Sequence, residues 1–258
     1  MDIFVWNKNA DKTCVKTGSY CALSEDLINF SYASGGYPPN IEHFCLEVLR
    51  GKYDDIFDFS KSFIDVGACH GVYSIELLKK FKHCYSFEAN KTYSYIIGAN
   101  AVANDVVDRI DIFNVYLSDR EGYTRFNGWT SDVNNDNLID APRLTHHCYE
   151  AKYYWDKLDE FDIVNTRSLD SYNFSNIGFI KIDAEGCEFK ILQGAVDTIK
   201  RNNYPPILFE MWPVESDFIT DKEGWKKHCN EMIAFLENLG YKITYNVNPA
   251  LDTHLAIK

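Results

Sequence analysis

From residue 61 onward, short apolar runs alternate with helix-period patterns, and the last two runs stand too close together to lie parallel. Residues 63–66, 84–87, 110–117, 177–182 and 207–212 read as strands. Helical spacing fills the gaps at 72–81 and 92–104, in a segment with Phe189, Leu192, Val196 and Ile199 on one face, and at 225–239, where Gly240 stops it. Such alternation predicts a mainly parallel sheet with helices on both faces. Residues 241–247 and 253–257 also read as strands, with about five residues between them. A parallel crossover needs a dozen or more, so these two must pair antiparallel. The expected fold is a doubly wound α/β domain whose mostly parallel, seven-stranded sheet ends in an antiparallel hairpin.

This domain is expected to span residues 61–258, with residues 1–60 as a cap or lid. In the cap a turn cluster, Ser34-Gly35-Gly36-Tyr37-Pro38-Pro39-Asn40, precedes a helical pattern with Ile41, Phe44, Cys45, Val48 and Leu49 on one face. An insertion at about 122–170 interrupts the alternation. Its polar centre sets Asp132, Asn134 and Asp136 in the rhythm of a calcium loop, but Asn137 stands where such a loop needs glycine and Arg143 where it needs glutamate. The insertion also carries Trp129, His146, His147, Tyr149, Tyr153, Tyr154 and Trp155, aromatic and polar side chains suited to an acceptor lid.

Charge narrows the partners. A net charge of −12 and a pI near 5.0 would repel an extended phosphate backbone, and no run of four basic residues offsets them, so nucleic acid is not expected as substrate. No window approaches the ~18 apolar residues of a membrane span, and residues 1–8 lack the pattern of a signal peptide. Eight scattered cysteines form no Cys-x-x-Cys pair, which points to reduced thiols in a cytoplasmic compartment. Oligomeric state is not legible.

The chemistry concentrates at strand ends. Asp65-Val66-Gly67-Ala68-Cys69-His70-Gly71 sets a glycine turn between the first strand and a helix, where doubly wound sheets open their ligand crevice. Gly67 allows close backbone approach, and the helix offers its positive N-terminus to a carboxylate. Glu88 ends the second strand 21 residues after Gly67, a spacing suited to a ribose hydroxyl pair. A nicotinamide dinucleotide would want a second glycine at Cys69, so an oxidoreductase is disfavoured. A non-catalytic module retaining the fold is the other alternative.

These residues fall within blocks that resemble the FkbM-type methyltransferases over roughly residues 40–258. The blocks are the run from Phe63 to Gly71; Phe87-Glu88-Ala89-Asn90; Tyr116-Leu117-Ser118-Asp119 with Gly122; Thr166-Arg167-Ser168-Leu169-Asp170; Lys181-Ile182-Asp183-Ala184-Glu185-Gly186-Cys187-Glu188, running on to Leu192-Gln193-Gly194-Ala195; and Pro206-Ile207-Leu208-Phe209-Glu210. Cys69-His70 and Ala89-Asn90 depart from the family pattern, where Asn and Pro-Asn are usual. The terminal hairpin fits, since it separates class I methyltransferases from dehydrogenases. The resemblance implies S-adenosylmethionine as cofactor, with Asp65, Gly67, Ala68, Cys69, His70, Glu88, Ala89, Asn90 and Asp183 lining its site and Leu117, Ser118 and Asp119 near the adenine. It also implies methyl transfer to a hydroxyl of a small molecule, sugar or glycan. Asp183 or Glu185 is then expected to orient or deprotonate that hydroxyl, with Glu210 close by. A divalent cation held by Asp183 and Glu210 is left open as a variant, because two carboxylates on adjacent strand ends permit it.

Overall fold

The computed structural model of the chain describes residues 39–126, 162–216, 219, 221–248 and 252–258. Residues 1–38, the calcium-like segment and the aromatic and histidine residues expected to form a lid lie outside the described residues.

The order of elements is α1 (Pro39–Leu49), β1 (Ser62–Val66), α2 (Val72–Leu77), β2 (Cys84–Phe87), α3 (Lys91–Ala103), β3 (Ile110–Phe113), β4 (Tyr116–Leu117), β5 (Gly122–Phe126), β6 (Asp162–Arg167), β7 (Ile177–Ile182), α4 (Glu188–Gln193), α5 (Val196–Arg201), β8 (Ile207–Glu210), α6 (Lys222–Asn238), β9 (Lys242–Asn248) and β10 (Thr253–Ile257). Seven strands form one sheet in the order β3-β2-β1-β7-β8-β10-β9. The first five are parallel, and β10 runs antiparallel to both β8 and β9. The short link before β10 therefore has the consequence expected of it, and the mixed seven-stranded sheet stands as predicted. Strands β1 and β7 are buried along their whole length, as central parallel strands covered on both faces must be. The chain leaves β1 toward β2 on one side and meets β7 on the other, so the topological switch point lies where β1 and β7 end.

Two expectations are revised. The single strand over 110–117 is two: β3 belongs to the large sheet, while β4 pairs with β6 in a small three-stranded sheet of order β4-β6-β5. Asn114, between them, donates its side-chain amide to the carbonyls of Glu88 and Ala89 at 2.9 and 2.8 Å and turns the chain away. The single helix after β7 is also two, broken at Gly194, where a Cβ would lie 2.0 Å from the Ser118 carbonyl oxygen. The flanks of the expected insertion are strands, β5 and β6 pairing antiparallel from Gly122↔Thr166 to Phe126↔Asp162.

Helix α1 packs into the same core as the sheet. Phe44, Cys45 and Val48 are buried together with Phe57, Phe63, Phe81 and Phe179. Phe57 lies 4.6 Å from Phe179, and Phe63 lies 5.0 Å from Phe81, ring to ring. Burying each such side chain stabilises the fold by roughly 1.5–3 kcal/mol. The five described cysteines form no disulfide with one another. Among the described residues no helix is long and apolar enough to cross a membrane.

Candidate active site

At the end of β1 the chain turns under close constraint. Gly67 has φ of +69°, and a Cβ there would lie 1.8 Å from the carbonyl oxygen of Asp183, so the turn presses directly on the end of β7. The amides of Gly67 and Ala68 both donate to the Phe87 carbonyl, at 3.0 and 3.1 Å, which ties the turn to β2 as well. Glu88 completes the tie: Oε2 accepts from Cys69 N at 2.8 Å and Oε1 from Asn90 N at 2.7 Å. Burial pushes the Glu88 carboxyl up to about 7, against these two backbone bonds, which favour its charged form. Each carboxylate oxygen keeps a lone pair beyond the one its amide takes, so the pair expected for a ribose remains chemically available.

The other residues expected around this turn are placed unequally. Cys69 adopts a left-handed φ of +51°, and its Sγ lies 3.1 Å from His70 Nδ1. His70 is buried against Tyr93, its carbonyl accepts from Asn100, and desolvation lowers its pKa to about 4, so the ring is neutral. The Asn90 side chain caps α3 by accepting from Thr92 N and Tyr93 N. Leu117 is buried in the same cluster as Val66 and Phe87, Ser118 N donates to Arg167 O, and Asp119 accepts from Ser118 Oγ at 3.0 Å.

A residue that strand patterning passes over organises the centre. Lys181 interrupts the apolar run of β7 and is almost completely buried. Its Nζ donates to the carbonyls of Val66 at 3.1 Å and Gly67 at 2.8 Å. It also lies 3.2 Å from Asp65 Oδ1 and 3.7 Å from Asp183 Oδ2. Asp65, wholly buried, accepts from Ser74 Oγ at 2.6 Å through its other oxygen. Burial alone would lower the Lys181 pKa, but the two carboxylates outweigh it and raise it, so the ammonium stays charged. The available signal was the lysine itself, a charge between Ile180 and Ile182 that only a buried partner can keep in a central strand.

Beyond Lys181 the carboxylates crowd together. Asp183, Glu185 and Glu210 are half-buried and bring one oxygen each within 4.8 Å of the others. Glu185 and Gly186 take φ of +53° and +91°, so the chain doubles back at the end of β7. Glu188, fully buried, holds this bend by accepting from Ala184 N at 2.7 Å and Gly186 N at 3.2 Å. Burial, then Asp183 and Glu188, pushes Glu185 up to about 8. Burial and the same neighbours push Glu210 well up, and burial pushes Glu188 up to about 7. Glu210 Oε2 is buried without a hydrogen-bond partner. The structure thus gathers the three expected catalytic carboxylates beside the expected cofactor turn, across the β1–β7 junction.

The crowding has a pH signature. A carboxyl whose folded pKa is raised binds its proton more tightly folded than unfolded. Its stabilising contribution is fully present below the ordinary value of 4.5 and disappears as pH rises through 7 to 8. His70, lowered from 6.5 to about 4, acts in the opposite sense only between those values. The thermal midpoint of the ligand-free protein is therefore expected to fall between pH 6.5 and pH 8, and Glu185→Gln to flatten that fall. A midpoint that rises across this window in differential scanning fluorimetry would contradict the crowded placement.

Solved structures of similar chain path include three methyl-transferring proteins. One is an O-methyltransferase from Bacillus cereus in complex with SAH, at 11% identity over 91% of this chain and 90% of that one, with a TM-score of 0.43. Another is the ribosomal protein L11 methylase from Lactobacillus delbrueckii subsp. bulgaricus, at 14% identity, 87% and 81% coverage and a TM-score of 0.43. The third is precorrin-6y C5,15-methyltransferase from Geobacter metallireducens GS-15, at 14% identity, 84% and 86% coverage and a TM-score of 0.42. No curated protein matches the chain. The profile described as the methyltransferase FkbM domain matches residues 65–243, from the acid near the end of β1 into β9, and so takes in both the glycine turn and the carboxylate cluster. The chain belongs to the FkbM methyltransferase family.

Proposed function

We propose that this chain transfers a methyl group from S-adenosylmethionine to a hydroxyl of an acceptor, with a sugar or glycan as the acceptor class. The observation that carries the reading is the meeting, at the ends of β1 and β7, of a backbone-lined turn with a cluster of crowded carboxylates. Gly67, Ala68, Cys69, His70 and Glu88, backed by Ala89 and Asn90, form the donor side in this proposal, with Leu117, Ser118 and Asp119 toward the adenine, while Asp65, wholly buried against Lys181 and Ser74, braces the turn from behind. When bound, the donor supplies a methyl group already activated on a sulfonium. The protein then has two tasks, to align the acceptor oxygen and to receive its proton. Alignment alone can supply about 7–11 kcal/mol.

Glu185 suits the second task, since a carboxyl pushed up to about 8 is a stronger base than a solvated one once ionised. Asp183, close to Lys181 on one side and to Glu185 and Glu210 on the other, orients the hydroxyl. Residues 1–60 are kept in this proposal as a cap, and the insertion as a lid over the acceptor. The net charge of −12 and the acid cluster disfavour a phosphate-rich acceptor.

A tritiated-methyl transfer screen over free sugars and glycan extracts tests the reading. Asp183→Asn and Glu185→Gln are expected to lower kcat by about 10²–10⁴-fold while donor affinity changes only slightly. Donor binding with no turnover on any hydroxyl acceptor would favour a non-catalytic scaffold. The grouping of three carboxylate oxygens within 4.8 Å supports a second reading, a divalent cation on Asp183, Glu185 and Glu210 that lowers the acceptor pKa. Activity unchanged in excess chelator would exclude it.

A further inference from the structure

Beside the carboxylate cluster stands an aromatic wall that methyl transfer itself does not require. Strand β8 ends at Glu210, and two residues further on Trp212 is half-buried. Hydrogen bonding from the Trp212 side chain works against the upward push that burial gives the Glu210 carboxyl. Trp225, buried on α6, fixes the segment: its Nε1 donates to the Trp212 carbonyl at 2.9 Å, and its ring lies 6.3 Å from that of Trp212 at 44°. Trp225 is itself stacked on His228, at 5.1 Å and 18°. Ile219 and Cys229, both buried, pack against Trp225. The Trp212 indole is thus held on a braced segment that shares the end of β8 with Glu210, one of the three grouped carboxylates.

This pairing selects a ligand chemistry. A partly exposed indole favours a flat or puckered apolar face above it. The carboxyl oxygens accept hydrogen bonds whether or not a proton is shared among them, and the crowded acids disfavour a further anion, so the cluster suits O–H groups at the rim of an uncharged ligand. A phenol would stack but bring one hydroxyl, whereas a pyranose brings a C–H face and several adjacent hydroxyls.

We infer that Trp212 is the floor of the acceptor subsite, stacking the C–H face of an uncharged pyranose ring while Asp183, Glu185 and Glu210 accept hydrogen bonds from its hydroxyls. The inference rests on the hydroxyl-acceptor reading above, but its test needs no turnover, so the two can fail separately. Saturation-transfer NMR on the full chain with S-adenosylhomocysteine present would use methyl α-D-mannopyranoside, methyl β-D-galactopyranoside and methyl α-L-fucopyranoside as probes. Glucuronate, glucose 6-phosphate and tyramine would serve as comparisons.

At least one neutral glycoside is expected to receive saturation, strongest at the C–H protons of one ring face. Trp212→Ala should weaken its binding by about tenfold or more, Trp212→Phe should retain most of it, and S-adenosylhomocysteine affinity should stay within about twofold in both. Four results would overturn the inference: no saturation of any glycoside, equal binding by Trp212→Ala, a parallel loss of S-adenosylhomocysteine affinity in Trp212→Phe, or binding of tyramine or the anionic sugars in preference to the neutral ones. Should Trp212→Ala fail to fold, the wild-type epitope map and Trp212→Phe still decide. Wild-type glycoside binding without methyl transfer would uphold the subsite and count against the reaction.

Discussion

Gly67→Ala is expected to cost more than about 4 kcal/mol and to leave little folded protein at 37 °C. The new Cβ would sit 1.8 Å from the Asp183 carbonyl oxygen and 2.8 Å from its carbon, and both are backbone atoms that no rotamer change can clear. The left-handed φ of +69° adds roughly 1–2 kcal/mol for any residue with a Cβ. Relief would require the ends of β1 and β7 to separate at the centre of the sheet, where Lys181 bonds both Val66 and Gly67. Urea denaturation measures the effect. Gly98→Ala is the matched control, because that glycine lies within α3 and its Cβ would meet nothing nearer than Ile112 Cδ1 at 3.8 Å. There the same change should stabilise by roughly 0.5–1 kcal/mol. If Gly67→Ala were as stable as the wild type, the close contact between turn and strand would be refuted.

Lys181→Met is expected to lose about 3–5 kcal/mol, the usual cost of stranding one member of a buried ion pair. Asp65 would keep only the Ser74 hydroxyl, in a site with no exposure to water, and the Val66 and Gly67 carbonyls would lose their shared donor. The double variant Asp65→Asn with Lys181→Met removes the stranded charge and should recover part of the loss. A double-mutant cycle in urea reads the coupling directly. Independent, additive losses would show that the 3.2 Å contact carries little energy.

The same two positions show what the sequence made legible. Gly67 could be found because glycine between a strand and a helix has few structural meanings, and Glu88 because its spacing from that glycine suits a ribose-bearing ligand. The terminal hairpin followed from the length of a link. Lys181 carries only a lone charge in an apolar run as its mark, and the partner that explains it, Asp65, is remote in the chain and adjacent only after β1 and β7 have paired. The break at Gly194 is equally non-local, since it arises from the approach of the Ser118 carbonyl. The split of residues 110–117 into β3 and β4 depends on β6, a partner that begins at Asp162. Trp212 closes the apolar run over 207–212, where an aromatic residue is ordinary strand packing until its carboxylate neighbour is known.

The union of Asp65 with Lys181 also bears on the order of assembly. β1 and β2 emerge early in synthesis and are close in sequence, but β7, the other neighbour of β1, begins only at Ile177. Closing so long a loop must precede the reward of the contact, which slows folding of sheets of this kind. Until that closure an acid destined for the interior has no counter-ion, so the early half of the chain should remain hydrated and loosely collapsed. Docking of β7 then neutralises the charge and fixes the glycine turn in one event, leaving no well-populated state with half a pocket.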